Sequence, residues 1–97
     1  MTTFKGTIRG LSGLSMSGLW DLVFEDGRIV HIESGYGVSS LASCFGATGD
    51  DLQEKISGQE IVYTIDDMNI LYGFTPTEEW EGIEIPEEGI EQKGNDR

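Results

Sequence analysis

Basic side chains are scarce in this 97-residue chain. Lysine and arginine together number six against eighteen aspartates and glutamates, which gives a net charge of −12 at neutral pH. Affinity for nucleic acids and for anionic membranes comes largely from clustered basic side chains that neutralise phosphates. The four basic residues among the first 77 are scattered, at Lys5, Arg9, Arg28 and Lys55. The composition therefore argues against direct binding to nucleic acid or membrane, and it favours a partner protein with a basic surface.

Thiol and imidazole groups are almost absent as well. Cys44 is the single cysteine and His31 the single histidine, so the chain can form neither an internal disulfide nor a Cys/His zinc set. No apolar run approaches the roughly 18 residues of a membrane span. The first residues, MTTFKGTIRG, lack the apolar core of a signal peptide. We therefore expect a protein of a reducing cytoplasm, which is the host cytoplasm if a phage encodes it.

These shortages also limit catalysis. A nucleophilic site would need Cys44 or a serine beside His31, but no basic residue near Cys44 in the sequence would lower the pKa of its thiol. Turns and helix caps explain the acidic doublets better than a metal does, because neighbouring residues of a strand point to opposite faces. The doublets are Asp50-Asp51, Asp66-Asp67 and Glu78-Glu79. The sequence thus predicts a non-enzymatic protein without catalytic residues, metal or cofactor.

Apolar periodicity in the first third of the chain predicts strands. Residues up to Arg9 alternate as a strand with a basic outer face, and the small-residue stretch LSGLSMSG that follows is typical of a flexible loop. Asp26-Gly27 predicts a two-residue hairpin turn. In that register Phe24 would face Ile29, and His31 would lie on the more apolar side. A strand followed by a β-hairpin is therefore expected.

Two helical segments and a second hairpin are predicted next. The apolar stripe of the first helix is Val38, Leu41, Ala42 and Phe45. The segment DDLQEKIS begins with capping-box spacing, at Asp50 and Gln53 or at Asp51 and Glu54. QEIVYTID and ILYGFTP alternate as two strands joined at residues 67–69. This order predicts an α+β fold: an antiparallel or mixed sheet of about five strands with its helices on one face.

The chain length accommodates one domain. We assign residues 1–81 to a single compact α+β domain. Residues 82–97, GIEIPEEGIEQKGNDR, are acidic, broken by glycine and proline, and poor in large apolar side chains, which predicts a mobile tail. A domain of this size is only marginally stable alone, so a homodimer or another homo-oligomer would help it.

The stretch SGYGVSS is a candidate anion site. A glycine turn that opens a helix presents free backbone N–H groups at the positive end of the helix dipole. Gly35, Gly37 and Ser39, in the turn from Gly35 to Ser40, would hold a small ligand or nucleotide in this way. However, the spacing departs from G-x-G-x-x-G, and no basic residue lies nearby. A sharp turn with a serine cap explains the same residues, so a small-ligand or nucleotide-binding domain is the alternative function.

The leading hypothesis is an acidic protein-binding module or inhibitor. Nine aromatic residues are more than a small core can hide, and Tyr36 in the glycine turn and Trp80 are the predicted surface anchors. The carboxylates predicted to attract the partner are Asp50, Asp51, Glu54, Asp66 and Asp67. The partner's basic surface could be one that binds nucleic acid. In size and charge alone the chain is comparable to small acidic proteins of phages and mobile elements that block host defence systems such as CRISPR.

Overall fold

The computed structural model describes residues 1–14 and 18–91. Within these ranges the chain forms six strands, two α-helices and one 3-10 turn. In chain order they are β1 (Thr2–Leu14), β2 (Leu19–Phe24), β3 (Ile29–Glu33), α1 (Tyr36–Cys44), α2 (Leu52–Ile56), β4 (Glu60–Ile65), β5 (Leu71–Pro76), the 3-10 turn (Thr77–Glu79) and β6 (Ile90–Glu91). The predicted order of strand, hairpin, helical segments and hairpin is confirmed, and β6 is an addition to it.

Strand β1 organises the sheet because it has partners on both sides. Its first half pairs antiparallel with β4 and its second half with β2, which gives the strand order β3-β2-β1-β4-β5. The two end strands also meet. The His31 N–H donates to the Asn69 carbonyl at 2.8 Å, beside a parallel bridge between His31 and Ile70. The sheet therefore curls into a partly open barrel, and the predicted α+β class with about five antiparallel strands is confirmed.

The barrel encloses the hydrophobic core. Its largest fully buried side chain is Tyr63, whose ring stacks on Phe24 with centroids 4.3 Å apart. Gly6 makes room for this pair, since a Cβ at that position would lie 3.0 Å from the Phe24 ring. Phe4 lies 5.8 Å from Tyr63, and the Arg28 guanidinium is 3.8 Å from the centroid of the Phe4 ring. Aromatic side chains from β1, β2 and β4 thus form the centre of the core.

The two helices pack on this core through the predicted stripes. Leu41, Leu52 and Ile56 are buried, while Val38, Ala42 and Phe45 are half-buried against the same cluster. Gly46 and Gly58 follow the two helices, as predicted from the sequence. No helix in residues 1–14 and 18–91 combines the length and apolar character of a membrane span.

The start of α2 differs from the predicted capping box. The Asp51 carboxylate accepts hydrogen bonds from the Thr48 N–H (2.6 Å) and the Thr48 hydroxyl (3.1 Å), so it closes the preceding loop instead of capping the helix. Gln53 points away from its own helix and bonds the backbone of Leu11 in β1. Helix α2 is therefore attached to β1 through a side chain.

The first hairpin has a longer loop than the sequence suggests. The Phe24 N–H donates to the Arg28 carbonyl at 2.9 Å, which leaves residues 25–27 in a three-residue loop. Of these three residues only Gly27 has a positive φ, 93°. The Asp26 carboxylate instead accepts the Arg28 N–H at 2.9 Å. Since a two-residue type I′ turn needs positive φ at both central residues, this loop takes the longer form.

The longer loop shifts the strand register by one residue. His31 faces Asp21 and not Leu22. Val30 and Ile32 are consequently buried in the core. His31 lies half-exposed on the outer side of the sheet, where its Nδ1 is 2.8 Å from the Asp21 carboxylate. The predicted apolar environment of His31 is therefore wrong.

The stretch predicted to be a flexible loop continues β1 up to Leu14. Leu11 is buried and pairs with Leu22 of β2. Small residues favour a loop, but β2 on one side of β1 and the Gln53 side chain on the other supply hydrogen-bond partners to the backbone here. Residues 15–17 of the same stretch lie outside the described residues.

Part of the segment predicted to be a mobile tail packs on the barrel. Ile85 is buried, with 6% of its surface exposed, and Gly89 lies against the Phe4 ring. Strand β6 pairs with Thr2 and Thr3 at the start of β1. The start of β1 has a free edge that pairs with β6, and this pairing keeps the segment that contains Ile85 on the barrel. This corrects the expectation for Ile85 and for residues 89–91. Residues 92–97 lie outside the described part, and the domain boundary at residue 81 stays a prediction.

Candidate functional site

A groove follows strand β5 along its whole length. It lies between β5, helix α1 and the end of β3, and its volume is about 480 Å³. This volume is within the range typical of ligand pockets. All six residues of β5 line the groove, and α1 contributes residues from its first turn to its last. This cavity is the β5 groove.

The groove exists because the barrel is open beside β5. This strand is the last in the sheet order and has β4 as its partner on one side. On the other side, within the described residues, β3 is bridged to the start of the strand at His31 and Ile70. The chain then leaves β3 after Glu33 and enters α1. From Tyr72 to Pro76 the outer edge of β5 therefore has no strand partner in the described part of the chain, and its backbone groups can accept one.

Two exposed tyrosines flank the groove. Tyr36 in the first turn of α1 is 82% exposed, and Tyr72 in β5 is 72% exposed. The inner wall between them contains the buried Ile32 and the half-buried Leu71 and Phe74. Large amphipathic rings beside an apolar wall are typical of residues that anchor a protein partner. The sequence predicts Tyr36 as an anchor, whereas it does not single out Tyr72.

A β-bulge directs Tyr72 into solvent. In the pairing of β4 with β5, Thr64 faces Gly73 and Ile65 faces Leu71, so Tyr72 is the extra residue between them. Bulges commonly re-aim a side chain in this way. A glycine inside a strand often marks a bulge, so Gly73 is the sequence signal that could have located this site.

Close packing positions α1 beside β3. A Cβ at Gly37 would lie only 3.2 Å from the Ile32 Cβ, so glycine allows the first turn of the helix to approach the strand. Gly35 has φ −87°, and neither it nor Gly37 has a positive φ. No side chain caps the helix, and the Ser39 N–H donates to the Gly35 carbonyl at 3.0 Å. The predicted turn is present at residues 34–35, the predicted serine cap is wrong, and Gly37 serves close packing.

The β5 groove is acidic. Glu33 and Glu79 line it, and among the described residues no lysine or arginine does. Cys44 also lines the groove, and its thiol has a pKa raised first by partial burial and then by the negative charge of Glu79. A raised pKa keeps the thiol protonated, so Cys44 is not an activated nucleophile. Two carboxylates without a basic neighbour attract positively charged groups to this cavity.

The two carboxylates predicted in the β4–β5 turn differ in their roles. Asp66 accepts hydrogen bonds from the Met68 N–H at 2.8 Å and the Ile70 N–H at 3.0 Å, so it holds the turn together. Asp67 is exposed. Neither residue lines the β5 groove, although the turn leads directly into β5. Asp67 is thus the more available of the two to a partner.

The three carboxylates predicted near α2 also lie outside the groove. Asp50 and Glu54 are exposed. The hydrogen bond from the Thr48 N–H, together with the Thr48 hydroxyl, holds the pKa of Asp51 below its usual range. Asp51 is therefore ionised and already engaged in its own loop, while Asp50 and Glu54 contribute free negative charge.

Trp80 is engaged within the chain. Its Nε1–H donates to the Ile83 carbonyl at 2.8 Å, and Gly82 lies directly against its ring. The ring is half-buried, so it helps to fold the following segment back. Its predicted role as a partner anchor stays a prediction. A larger fraction of the Tyr72 side chain than of the Trp80 side chain is exposed.

The structure does not bring the single histidine and the single cysteine together at one site. His31 pairs with Asp21 on the outer side of β2 and β3, and it does not line the groove that contains Cys44. No group of three or more His, Cys, Asp or Glu side chains in the described ranges is arranged to hold a metal ion.

Comparisons with protein-family models, with curated proteins and with solved structures find no match. Function must therefore be inferred from the geometry and charge of the β5 groove.

Proposed function

We propose that this protein is a non-enzymatic, acidic protein-binding module whose partner presents a basic surface to the β5 groove. One observation carries the proposal. Two exposed tyrosines, Tyr36 and Tyr72, flank a cavity that is lined by Glu33 and Glu79 and, within residues 1–14 and 18–91, by no lysine or arginine. The cavity thus combines groups that attract cations with groups that anchor apolar and amphipathic side chains.

The overall charge supports attraction at long range. A net charge of −12 creates a field that reaches about 8 to 10 Å at physiological salt, so carboxylates outside the groove contribute to the encounter. Asp50, Glu54 and Asp67 are exposed and suit this role. Charge mainly sets the rate of association, whereas buried anchors mainly set the rate of dissociation. We therefore assign steering to the carboxylates and residence time to the tyrosines.

A surface that normally binds nucleic acid suits this module well as a target, because its lysines and arginines are already arranged to meet negative charge. We accordingly propose that binding is inhibitory, with the module occupying such a surface on the partner. Small acidic proteins of phages and mobile elements act in this way against host defence systems such as CRISPR. That comparison rests on size and charge.

The small-ligand alternative has weaker support. It would place an anion at Gly35, Gly37 and Ser39, at the start of α1. Glu33 lines the cavity two residues before Gly35, and no lysine or arginine in the described part of the chain lines it. A carboxylate near a helix N-terminus opposes a bound anion. Measuring the melting temperature of the protein with a panel of nucleotides and with inorganic phosphate tests this alternative. A clear rise in the melting temperature with any of these ligands would favour it.

The proposal is tested by affinity capture from the cells that produce the protein. The wild-type chain is compared with Tyr36→Ala/Tyr72→Ala and with Ile83→Ala, a control that removes an exposed apolar side chain outside the groove. The expected result is a basic partner retained by wild type and control, released by salt, and lost from the double variant. Equal retention by all three proteins, or a partner without a basic surface, would contradict the proposal.

A further inference from the structure

Two acidic residues mark opposite ends of the β5 groove. Glu33 ends β3 and precedes Tyr36, the first residue of α1. Glu79 is close enough to Cys44, the last residue of α1, to influence its thiol. The helix between these two ends rises about 1.5 Å per residue, so its nine residues span on the order of 12 Å. Glu33 and Glu79 therefore lie near opposite ends of α1, and the groove between them has a length of this order.

An extended chain matches that spacing. Its side chains at positions i, i+2 and i+4 share one face, and positions i and i+4 are about 13 Å apart at 3.3 Å per residue. Basic side chains at i and i+4 would consequently reach Glu33 and Glu79. An apolar side chain at i+2 would lie over the inner wall formed by Ile32 and Phe74.

We propose that the open edge of β5 accepts an extended segment of a partner protein as an added strand, and that this segment carries basic side chains four residues apart with an apolar one midway. The inference rests on the proposed function and specifies the form in which the partner presents its positive charge. The segment takes the place beside β5 that the chain vacates after Glu33. Main-chain hydrogen bonds to the strand edge supply affinity, and the alternate side chains supply specificity.

A second copy of this chain is the competing occupant of the edge. Pairing two β5 edges would bring together Glu33 and Glu79 from both copies, and no basic side chain among the described lining residues offsets them. Like charges facing each other across strands are destabilising. Pro76 also removes one backbone donor from the end of the edge. Charge complementarity therefore favours a basic segment over self-association.

The test uses the full chain, isotopically labelled, and a terminally capped synthetic peptide of sequence Thr-Lys-Thr-Val-Thr-Lys-Thr. Saturable NMR shifts are expected at the β5 amides, including Tyr72 and Phe74. Methylation of alternate peptide backbone nitrogens should weaken binding at least about tenfold, because it removes strand hydrogen bonds without changing charge. Moving one lysine by a single position, to the opposite face, should also weaken it.

A matched pair of variants tests the role of the groove carboxylates. Glu33→Gln/Glu79→Gln should weaken peptide binding by up to about tenfold, as expected for two exposed ion pairs. Glu60→Gln/Glu84→Gln makes the same change in net charge at exposed positions outside the groove, and it should leave affinity within about twofold.

Three outcomes would overturn the inference. Equal affinity of the methylated and unmodified peptides would show docking by charge without an added strand. Shifts at β5 that grow with protein concentration in the absence of peptide would identify a second copy as the occupant. No peptide binding, with a captured partner that still depends on Tyr36 and Tyr72, would indicate a folded basic surface. The proposed function survives the first and third of these, and it fails separately if no salt-sensitive protein partner is captured.

Discussion

The Gln53 side-chain amide pairs with the backbone of Leu11. The Leu11 N–H donates to Oε1 at 2.8 Å, and Nε2 donates to the Leu11 carbonyl. Gln53 thus acts as a one-residue strand partner for the second half of β1 and ties α2 to the barrel across a sequence separation of 42 residues. The backbone of Leu11 would otherwise lack a partner on this side of the strand.

Replacing Gln53 with alanine should lower the free energy of unfolding by about 1 to 2 kcal/mol, because two hydrogen bonds are exchanged for bonds to water. Urea denaturation followed by tryptophan fluorescence measures the effect. Gln59→Ala is the control, since the Gln59 side chain makes only a 3.4 Å bond to the Lys55 carbonyl. Equal losses from the two variants would mean that the Gln53–Leu11 pair contributes nothing specific.

The segment after Gly82 should contribute to stability through Ile85. Ile85→Ala should cost about 2 to 4 kcal/mol, because a buried isoleucine is replaced by a cavity. Ile83→Ala provides the comparison: Ile83 is 70% exposed, so its loss should change stability by less than about 0.5 kcal/mol. Chemical denaturation of both variants is the measurement, and indistinguishable midpoints would show that this segment does not pack in solution.

The hairpin loop should depend on Gly27, whose φ of 93° is costly for any residue with a Cβ. Gly27→Val is expected to lose about 1 to 2 kcal/mol of stability. The same substitution at Gly13 in β1 introduces a side chain where no heavy atom lies within 4 Å and φ is not positive. Thermal unfolding of the two variants should therefore separate them, and a Gly27→Val protein as stable as Gly13→Val would contradict the positive φ of Gly27.

Tyr63 should make stability fall in alkali. Burial raises the pKa of its hydroxyl far above the usual value, and the hydroxyl has no hydrogen-bond partner among the described residues. The folded protein therefore keeps this proton while the unfolded chain releases it above pH about 10, so stability is lost as pH rises beyond that value. Tyr63→Phe should remove up to about 1.4 kcal/mol per pH unit of this slope. It should not lower stability near neutral pH, because the hydroxyl that is removed is buried without a hydrogen-bond partner among the described residues.

Denaturation curves of wild type and Tyr63→Phe from neutral pH to about pH 12 measure the difference in slope. Parallel curves throughout the alkaline range would contradict the burial of the hydroxyl.

Patterns that depend on neighbouring residues predicted most of the fold correctly. Alternation around Phe4 and Ile8, the helical stripe through Leu41, and the turn before Ile70 all reflect local geometry, and each element formed. The predicted hairpin register is wrong because the sequence Asp-Gly is compatible with more than one loop length. The carboxylate of Asp26, which accepts the Arg28 N–H, accompanies the longer loop.

The candidate site was only partly predictable because tertiary contacts create it. Tyr36 was identified from its glycine-rich turn. Tyr72 alternates like a core residue and is exposed only because a bulge re-aims it. Glu33 and Glu79 are far apart in sequence, and both line the same groove because the barrel is open beside β5. Ile85 was missed since its burial requires the completed barrel.

We propose that carboxylates attract a basic partner to the β5 groove and that the two exposed tyrosines retain it. Charge reversal at Asp50, Asp51 and Glu54 together, or at Asp66 and Asp67, should slow association. These variants extend the comparison from the groove to the surrounding acidic surface.

The most direct measurement is the association rate constant with the captured partner as a function of salt concentration. The rate should fall at least about tenfold between low and high salt, and Glu33→Gln/Glu79→Gln should slow it further. Tyr36→Ala/Tyr72→Ala should raise the dissociation rate while it leaves the salt dependence unchanged. An association rate constant that does not change with salt, together with a dissociation rate unaffected by loss of Tyr36 and Tyr72, would contradict both roles.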